Sequence, residues 1–155
     1  MTAFVFERRY PVDRARVFGQ HEDPAILARL QDPASSRLVS HAGHIRPGAR
    51  TVVRNRMGPL WFVFEFEHDL YEPPVRFGER LVRGPFLSLR HVHEFEEQPG
   101  GTLVRDRLEI RLPWWLGGVL GERWVAAPRI RAVFRRRQDA LAALLAGIGP
   151  VPPTA

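Results

Sequence analysis

Five residues of this chain could do acid–base chemistry from one place: His68, Glu79, His91, His93 and Asp106. His91 and His93 alternate with Leu89 and Phe95, so on a strand both imidazoles point to the apolar side. Asp106 sits between Val104 and Leu108 in a second alternating segment, and His68 follows Phe62, Phe64 and Phe66 in a third. Burying an unpaired ionised group costs several kcal/mol, so ionisable residues on an apolar face are paired with one another or functional. Three chemistries fit. The first is a satisfied network that fixes the sheet and lines a cavity. The second is ligand recognition or general acid–base work, since a His oriented by a carboxylate carries protons near neutral pH. His93, Asp106, His91 and Glu79 are its catalytic candidates. The third is a metal site, because His-x-His on a strand sets two rings ~7 Å apart at Cα and His68 could complete a three-nitrogen set. That spacing is too common to assign a metal, and neither metal nor cofactor is expected. His21, His41 and His44 fall in or near loops and early strands and receive no role.

Those residues must be positioned by strands. Alternation and turn chemistry predict a first strand over Ala3–Arg9, then two short helices, Asp13–Gln20 and one capped by Asp23 with Pro24 at its first position and ended by Pro33. Six strands follow: Arg37–Ile45, Ala49–Met57, Leu60–Tyr71, Arg76–Arg83, Leu87–Glu97 and Thr102–Leu112. Between them lie Arg46-Pro47-Gly48, Gly58-Pro59, Pro73-Pro74, Gly84-Pro85 and Pro99-Gly100-Gly101, all turn sequences. A long helix ends near Ala146–Gly147, with Pro128 starting or kinking it. A tight turn pairing Gln98 with Gly101 sets Phe95 opposite Val104, His93 opposite Asp106, Glu94 opposite Arg105 and Arg90 opposite Glu109. A tight turn at Gly58–Pro59 sets Val53 against Phe64 and Arg50 against Glu67. If Pro73–Pro74 is tight, Glu72 pairs with Val75, Leu70 with Phe77 and His68 with Glu79. The next turn then brings Glu79 beside His91 or His93. A one-residue slip would put every side chain on the wrong face, so the agreement of charge and hydrophobicity argues for one antiparallel sheet with an apolar concave side.

Composition removes several classes of function. The 155 residues contain no Cys, which excludes disulfides, thiolate nucleophiles and Cys-ligated metals. All 23 basic residues are Arg, which excludes Schiff-base and phosphate-loop lysines. The formal charge is +6 and the pI about 11.2. Arg50, Arg54, Arg56, Arg80, Arg105 and Arg107 fall on the outward sheet parity, several of them across or diagonal to carboxylates; the surplus lies at Arg123, Arg129, Arg131, Arg135, Arg136 and Arg137. These are read as the wet side of a packing helix whose apolar stripe includes Val133, Phe134 and Leu141; nucleic acid is not expected as a partner. Trp114, Trp115 and Trp124 are plugs between sheet and helix or an aromatic rim at a cavity mouth. The longest apolar stretch, Leu112–Gly121, is half the ~20 residues a membrane helix needs, and the first ten residues do not resemble a signal segment. A soluble, cytoplasmic protein without stable membrane insertion is expected, as a monomer or homodimer. Residues 1–147 are expected to form one domain and 148–155 a disordered tail.

The order of elements, with Tyr10–Phe18 (a Pro ahead of a Val-Phe pair), resembles the START-like, or helix-grip, superfamily, also called SRPBCC. Tyr71-Glu72-Pro73-Pro74 with Phe77, Arg83-Gly84-Pro85-Phe86, His91-x-His93-x-Phe95, Gly100-Gly101-Thr102 and Asp106 resemble a bacterial polyketide cyclase/dehydrase-like subgroup; Leu112-Pro113 and Arg137 with Leu141 also fit. Leu89 stands where that subgroup has Trp, and Glu79 where it more often has Asp. The resemblance implies an α+β helix-grip fold: a curved antiparallel seven-stranded sheet wrapped around a long C-terminal helix, with two short helices after the first strand. It also implies a deep cavity that binds an apolar or aromatic molecule such as a lipid, polyketide or quinone. Ligand contacts are expected from His68, Glu79, His91, His93, Asp106, Phe62, Phe64, Phe66, Phe95 and Phe134, with Leu81, Val104, Leu108, Val133 and Leu141 completing the wall. The alternatives are a cyclase/dehydratase-type enzyme using a His/carboxylate pair there, and an Arg-rich binder of nucleic acid or anionic surfaces.

Overall fold

The computed structural model describes residues 1–147; the expected tail, 148–155, lies outside them. The chain runs β1 (Thr2–Tyr10), α1 (Arg14–His21), α2 (Pro24–Leu30), β2 (Ser36–His41), β3 (Arg50–Met57), β4 (Leu60–Glu72), β5 (Arg76–Arg83), β6 (Ser88–Gln98) and β7 (Gly101–Arg111). After a single turn at Trp114–Leu116 come α3 (Gly118–Gly121), a wide π-helical turn at Glu122–Ala126, and α4 (Ala127–Ala146). The seven strands form one antiparallel sheet in the order β1-β7-β6-β5-β4-β3-β2.

The local causes are the ones the residues suggest. Asp13 caps α1 by accepting from Arg16 N at 3.0 Å, and Asp23 caps α2 by accepting from Ala25 N at 2.8 Å. Gly100, at φ 76°, supplies the left-handed residue of the β6–β7 turn and brings Gln98 to Gly101. Phe95 then faces Val104, His93 faces Asp106 and Glu94 faces Arg105. In β3–β4, Val53 faces Phe64 and Arg50 faces Glu67.

Three expectations need correction. The Pro73–Pro74 loop is one residue longer than a tight turn: Glu72 pairs with Arg76, Tyr71 with Phe77 and Leu70 with Gly78. A β-bulge at Asp69 absorbs the extra residue, and His68 still meets Glu79. Past the bulge the faces exchange, so Tyr71, not Leu70, packs inward against Phe18. The second strand stops at His41, not Ile45: Gly43 turns the chain at φ 85° and Ile45 N donates to Glu22 O of the segment after α1. The second helix ends at Leu30, before Pro33. Of the two alternatives for Pro128, the first holds: it starts the last helix, lying in the first turn of α4 directly after the π-helical turn.

α4 crosses the concave face. Leu141 and Leu145 pack with Tyr10, Val17, Phe18, Phe77 and Phe95 into a solid core at one end. Phe134 packs with Phe4, Leu108 and Ile110 further along, its ring stacked on Phe6 at 4.3 Å. Burying such side chains contributes ~1.5–3 kcal/mol each. Val53, Phe64 and Phe66 form a third group farther across the sheet. The outer face is laced by Arg50–Glu65 (2.6 Å), Arg80–Glu67 (2.9 Å) and Arg107–Glu94 (3.0 Å). Exposed pairs of this kind add ~0–1 kcal/mol apiece, so they set register more than stability.

Candidate functional site

Five consecutive strands each deliver polar side chains to one spot under α4. Thr51 comes from β3, His68 from β4, Glu79 from β5, His91 and His93 from β6, and Asp106 from β7. His68 faces Glu79 and His93 faces Asp106 as parity requires, and the ambiguity at Glu79 resolves onto His91. His68, His91, His93 and Asp106 are all buried. His91 Nε2 lies 3.2 Å from Asp106 Oδ1 and its Nδ1 3.6 Å from Glu79 Oε1. His93 Nδ1 lies 2.6 Å from the same Asp106 oxygen. On the other side of Glu79, His68 Nε2 is 3.7 Å from Oε2 and 3.2 Å from the Thr51 hydroxyl. His68 Nδ1 is buried and has no hydrogen-bond partner among the described residues.

The shared carboxylate splits the two neighbouring imidazoles. Burial pushes His91 toward the neutral form, but its hydrogen bonds to Asp106 and Glu79 more than reverse that and raise its pKa above the usual imidazole value. His93, burial-penalised and 4.0 Å from the His91 ring, is pushed down to about 3. Burial first, and the neighbouring His91 second, outweigh the attraction of Asp106, which faces His93 directly. Burial pushes Asp106 and Glu79 upward, yet the imidazoles around them hold both well below the ordinary carboxylate range.

His91, His93 and Asp106 offer three donor atoms within 4.8 Å of one another. His91, however, lies between two carboxylates that favour its protonated form, and a metal would have to displace that proton. The arrangement is read as a hydrogen-bonded network.

Two spaces adjoin the cluster. A small one, about 50 Å³, reaches from it toward α1. A larger cavity of about 330 Å³ lies between sheet and α4, walled by Val53, Phe64, Phe66, Leu89, Leu108 and Phe134, with Glu79 and His91 at its inner end. Phe64, Phe66, Leu108, Val133 and Phe134 therefore stand where they were expected. Phe95 and Val104 do not: both belong to the solid core beneath α1. Phe62 and Leu81 pack against Val53, Phe64 and Phe66 without bordering either space, and Leu141 borders only the small one.

Three site residues escaped the sequence reading. His21, at the end of α1, sets its ring 5.6 Å from His93, and burial lowers its pKa. Thr51 anchors His68. Arg137, assigned above to the wet side of the helix, is half-buried, borders both spaces, and has its pKa lowered by burial despite the attraction of Asp106 and Glu79. Its place three positions after the buried Phe134, and its part with Leu141 in the family-like motif, were the signals pointing to it. The tryptophans are not plugs. Trp114 is 87% exposed and Trp124 70%.

No protein-family model matches the chain, and no curated protein matches it in sequence. Solved structures do. Protein Ms6760 from Mycobacterium smegmatis superposes with a TM-score of 0.70 at 17% identity, over 94% of this chain and 92% of that one. Protein CV1439 from Chromobacterium violaceum gives 0.72 at 15% identity, over 93% and 97%. Ara h 8.0201 gives 0.65 at 14% identity, over 92% and 98%. At such identities the likeness establishes architecture alone: the chain has the helix-grip fold that its sequence motifs resemble. No helix among the described residues is long and apolar enough to cross a membrane.

Proposed function

We propose that the chain binds an apolar or aromatic small molecule in the cavity between sheet and α4. One observation carries this reading: an apolar-walled space of about 330 Å³ that ends on a buried cluster of ionisable groups. That volume is at the lower end of the ~300–1,000 Å³ of small-molecule sites. An aromatic or branched apolar body would lie against Phe64, Phe66 and Phe134, and its polar end would meet His91, Glu79 and Arg137. His68 Nδ1, buried without a partner, is a free hydrogen-bonding atom for a polar group reaching the inner space. A lipid, polyketide or quinone-like molecule meets these demands, consistent with the resemblance to the polyketide cyclase/dehydrase-like subgroup. The test is titration with the uncharged fluorophore N-phenyl-1-naphthylamine, for wild type and Val53→Trp, which fills the wall. Saturable binding lost in the filled but folded variant supports the reading. Equal binding by both places the probe elsewhere and sinks it.

A second reading has its own observation. His91, held toward its protonated form by Asp106 and Glu79 at the inner end of the cavity, is placed to act as a general acid in cyclisation or dehydration of such a ligand. Enzymic use requires that loss of one particular His abolish turnover, whereas pure binding only weakens.

A further inference from the structure

We propose that the surface from Trp114 to Val133 docks this protein onto anionic membranes and seats the cavity mouth on the bilayer; its use for ligand exchange rests on the binding reading above. Within one short segment Trp114 is 87% exposed, Leu120 and Trp124 70%, and Trp115, Val119 and Val125 all more than half. Single exposed apolar residues are ordinary; a contiguous group is not. The group is held in place. Glu122, 1% exposed, accepts from Leu112 N at 2.8 Å and from the Thr2 hydroxyl at 2.7 Å. Gly121 packs so closely on Leu116 that any Cβ there would strike the Leu116 carbonyl. The fold thus fixes this segment with its largest apolar side chains turned to solvent.

Charge names the occupant. Residues 111–137 contain seven arginines and a single carboxylate, the buried Glu122, so this segment holds the whole +6 excess of a chain that is otherwise balanced. Arg123, Arg129, Arg131 and Arg135 are exposed beside the apolar group, and Arg123 lies over the Trp124 ring at 5.6 Å. A second copy meeting this face by twofold symmetry would set one arginine cluster against the other. A bilayer with anionic headgroups suits both parts: guanidinium groups pair with phosphates, and indole rings sit at the boundary of headgroup and acyl chain. Leu116, Val125, Arg129 and Val133 also border the cavity, so the docked face is continuous with its rim.

The experiment is co-sedimentation with vesicles of phosphatidylcholine alone and of phosphatidylcholine mixed with phosphatidylglycerol, with tryptophan quenching by brominated lipid. Wild type is expected on the anionic vesicles only, with salt weakening the partition. Trp114→Ser/Trp124→Ser and Arg123→Ala/Arg131→Ala, all at exposed positions, should each lower it about tenfold or more while keeping the native melting temperature. Val53→Trp should still dock, which separates failure of docking from failure of ligand binding. Absence of partition at low salt overturns the proposal. So does partition unchanged in either double variant, or a dimer in lipid-free ultracentrifugation that the Trp variant abolishes.

Discussion

Asp106 serves two imidazoles, and the pair answers differently. Asp106 and Glu79 hold His91 toward its protonated form, whereas burial, with His91 beside it, holds His93 toward the neutral one. Long-range nitrogen–proton spectra of the imidazoles should show His91 still protonated above pH ~6.5 and His93 neutral well below it. The reverse assignment would contradict the site chemistry. Stability follows by linkage. The contribution of His91, with its raised folded value, is complete below its unfolded value near ~6.5 and is lost as pH rises through the folded value. Asp106 and Glu79, with depressed values, contribute above ~4 and lose that as pH falls. His93 and His21, kept neutral, add to the acid loss, since below ~6.5 the unfolded chain takes protons the native state refuses. Melting temperature against pH should therefore fall on both sides of a maximum, and Asp106→Asn should flatten its acid limb. Asp106→Leu removes one counterion of a buried cation and should cost ~3–5 kcal/mol in chemical denaturation. A loss under ~1 kcal/mol would mean that His91 is not charged. Parity made these residues legible in the sequence because a strand leaves a side chain only two directions. His21 and Arg137 were not, because packing of α1 and α4 on the sheet decides which of their turns face inward.

At the scale of elements, two errors in reading β4 and β5 cancel. The Pro73–Pro74 loop adds a residue and the bulge at Asp69 removes its effect, so Glu79 arrives beside His68 by a route that turn chemistry alone does not show. Hairpins closed by a left-handed glycine leave no such freedom, and the β3–β4 and β6–β7 registers were readable pair by pair. Gly101 marks how tightly β7 meets the end of β1. A Cβ there would drive into the Tyr10 carbonyl, backbone against backbone. Gly101→Ala should destabilise by ~1–3 kcal/mol, read from the urea midpoint at unchanged slope. An unshifted midpoint would show that the β1–β7 edge is looser than described. The π-helical turn before α4 had no sequence signal. It sets the phase of the long helix, turning Phe134 and Arg137 toward the cluster and the tryptophans outward.

For the whole molecule, the division of labour is between a balanced sheet and a charged grip. The strands spend their arginines on neighbouring carboxylates, whereas the segment leading into α4 keeps nearly all of its own unpaired by acids. The helix-grip architecture was readable from element order and motifs. The exact wall of the cavity was not, because Phe95 and Phe64 share a parity yet stand over different parts of α4, one under solid core and one beside empty space. The binding account stands or falls on whether that space takes a guest. Native mass spectrometry of freshly purified protein, with organic extraction of anything bound, is the direct measurement. The account predicts a one-to-one adduct of an apolar small molecule in wild type that Val53→Trp no longer retains. A wild-type spectrum of bare polypeptide, unchanged after incubation with N-phenyl-1-naphthylamine, would contradict it.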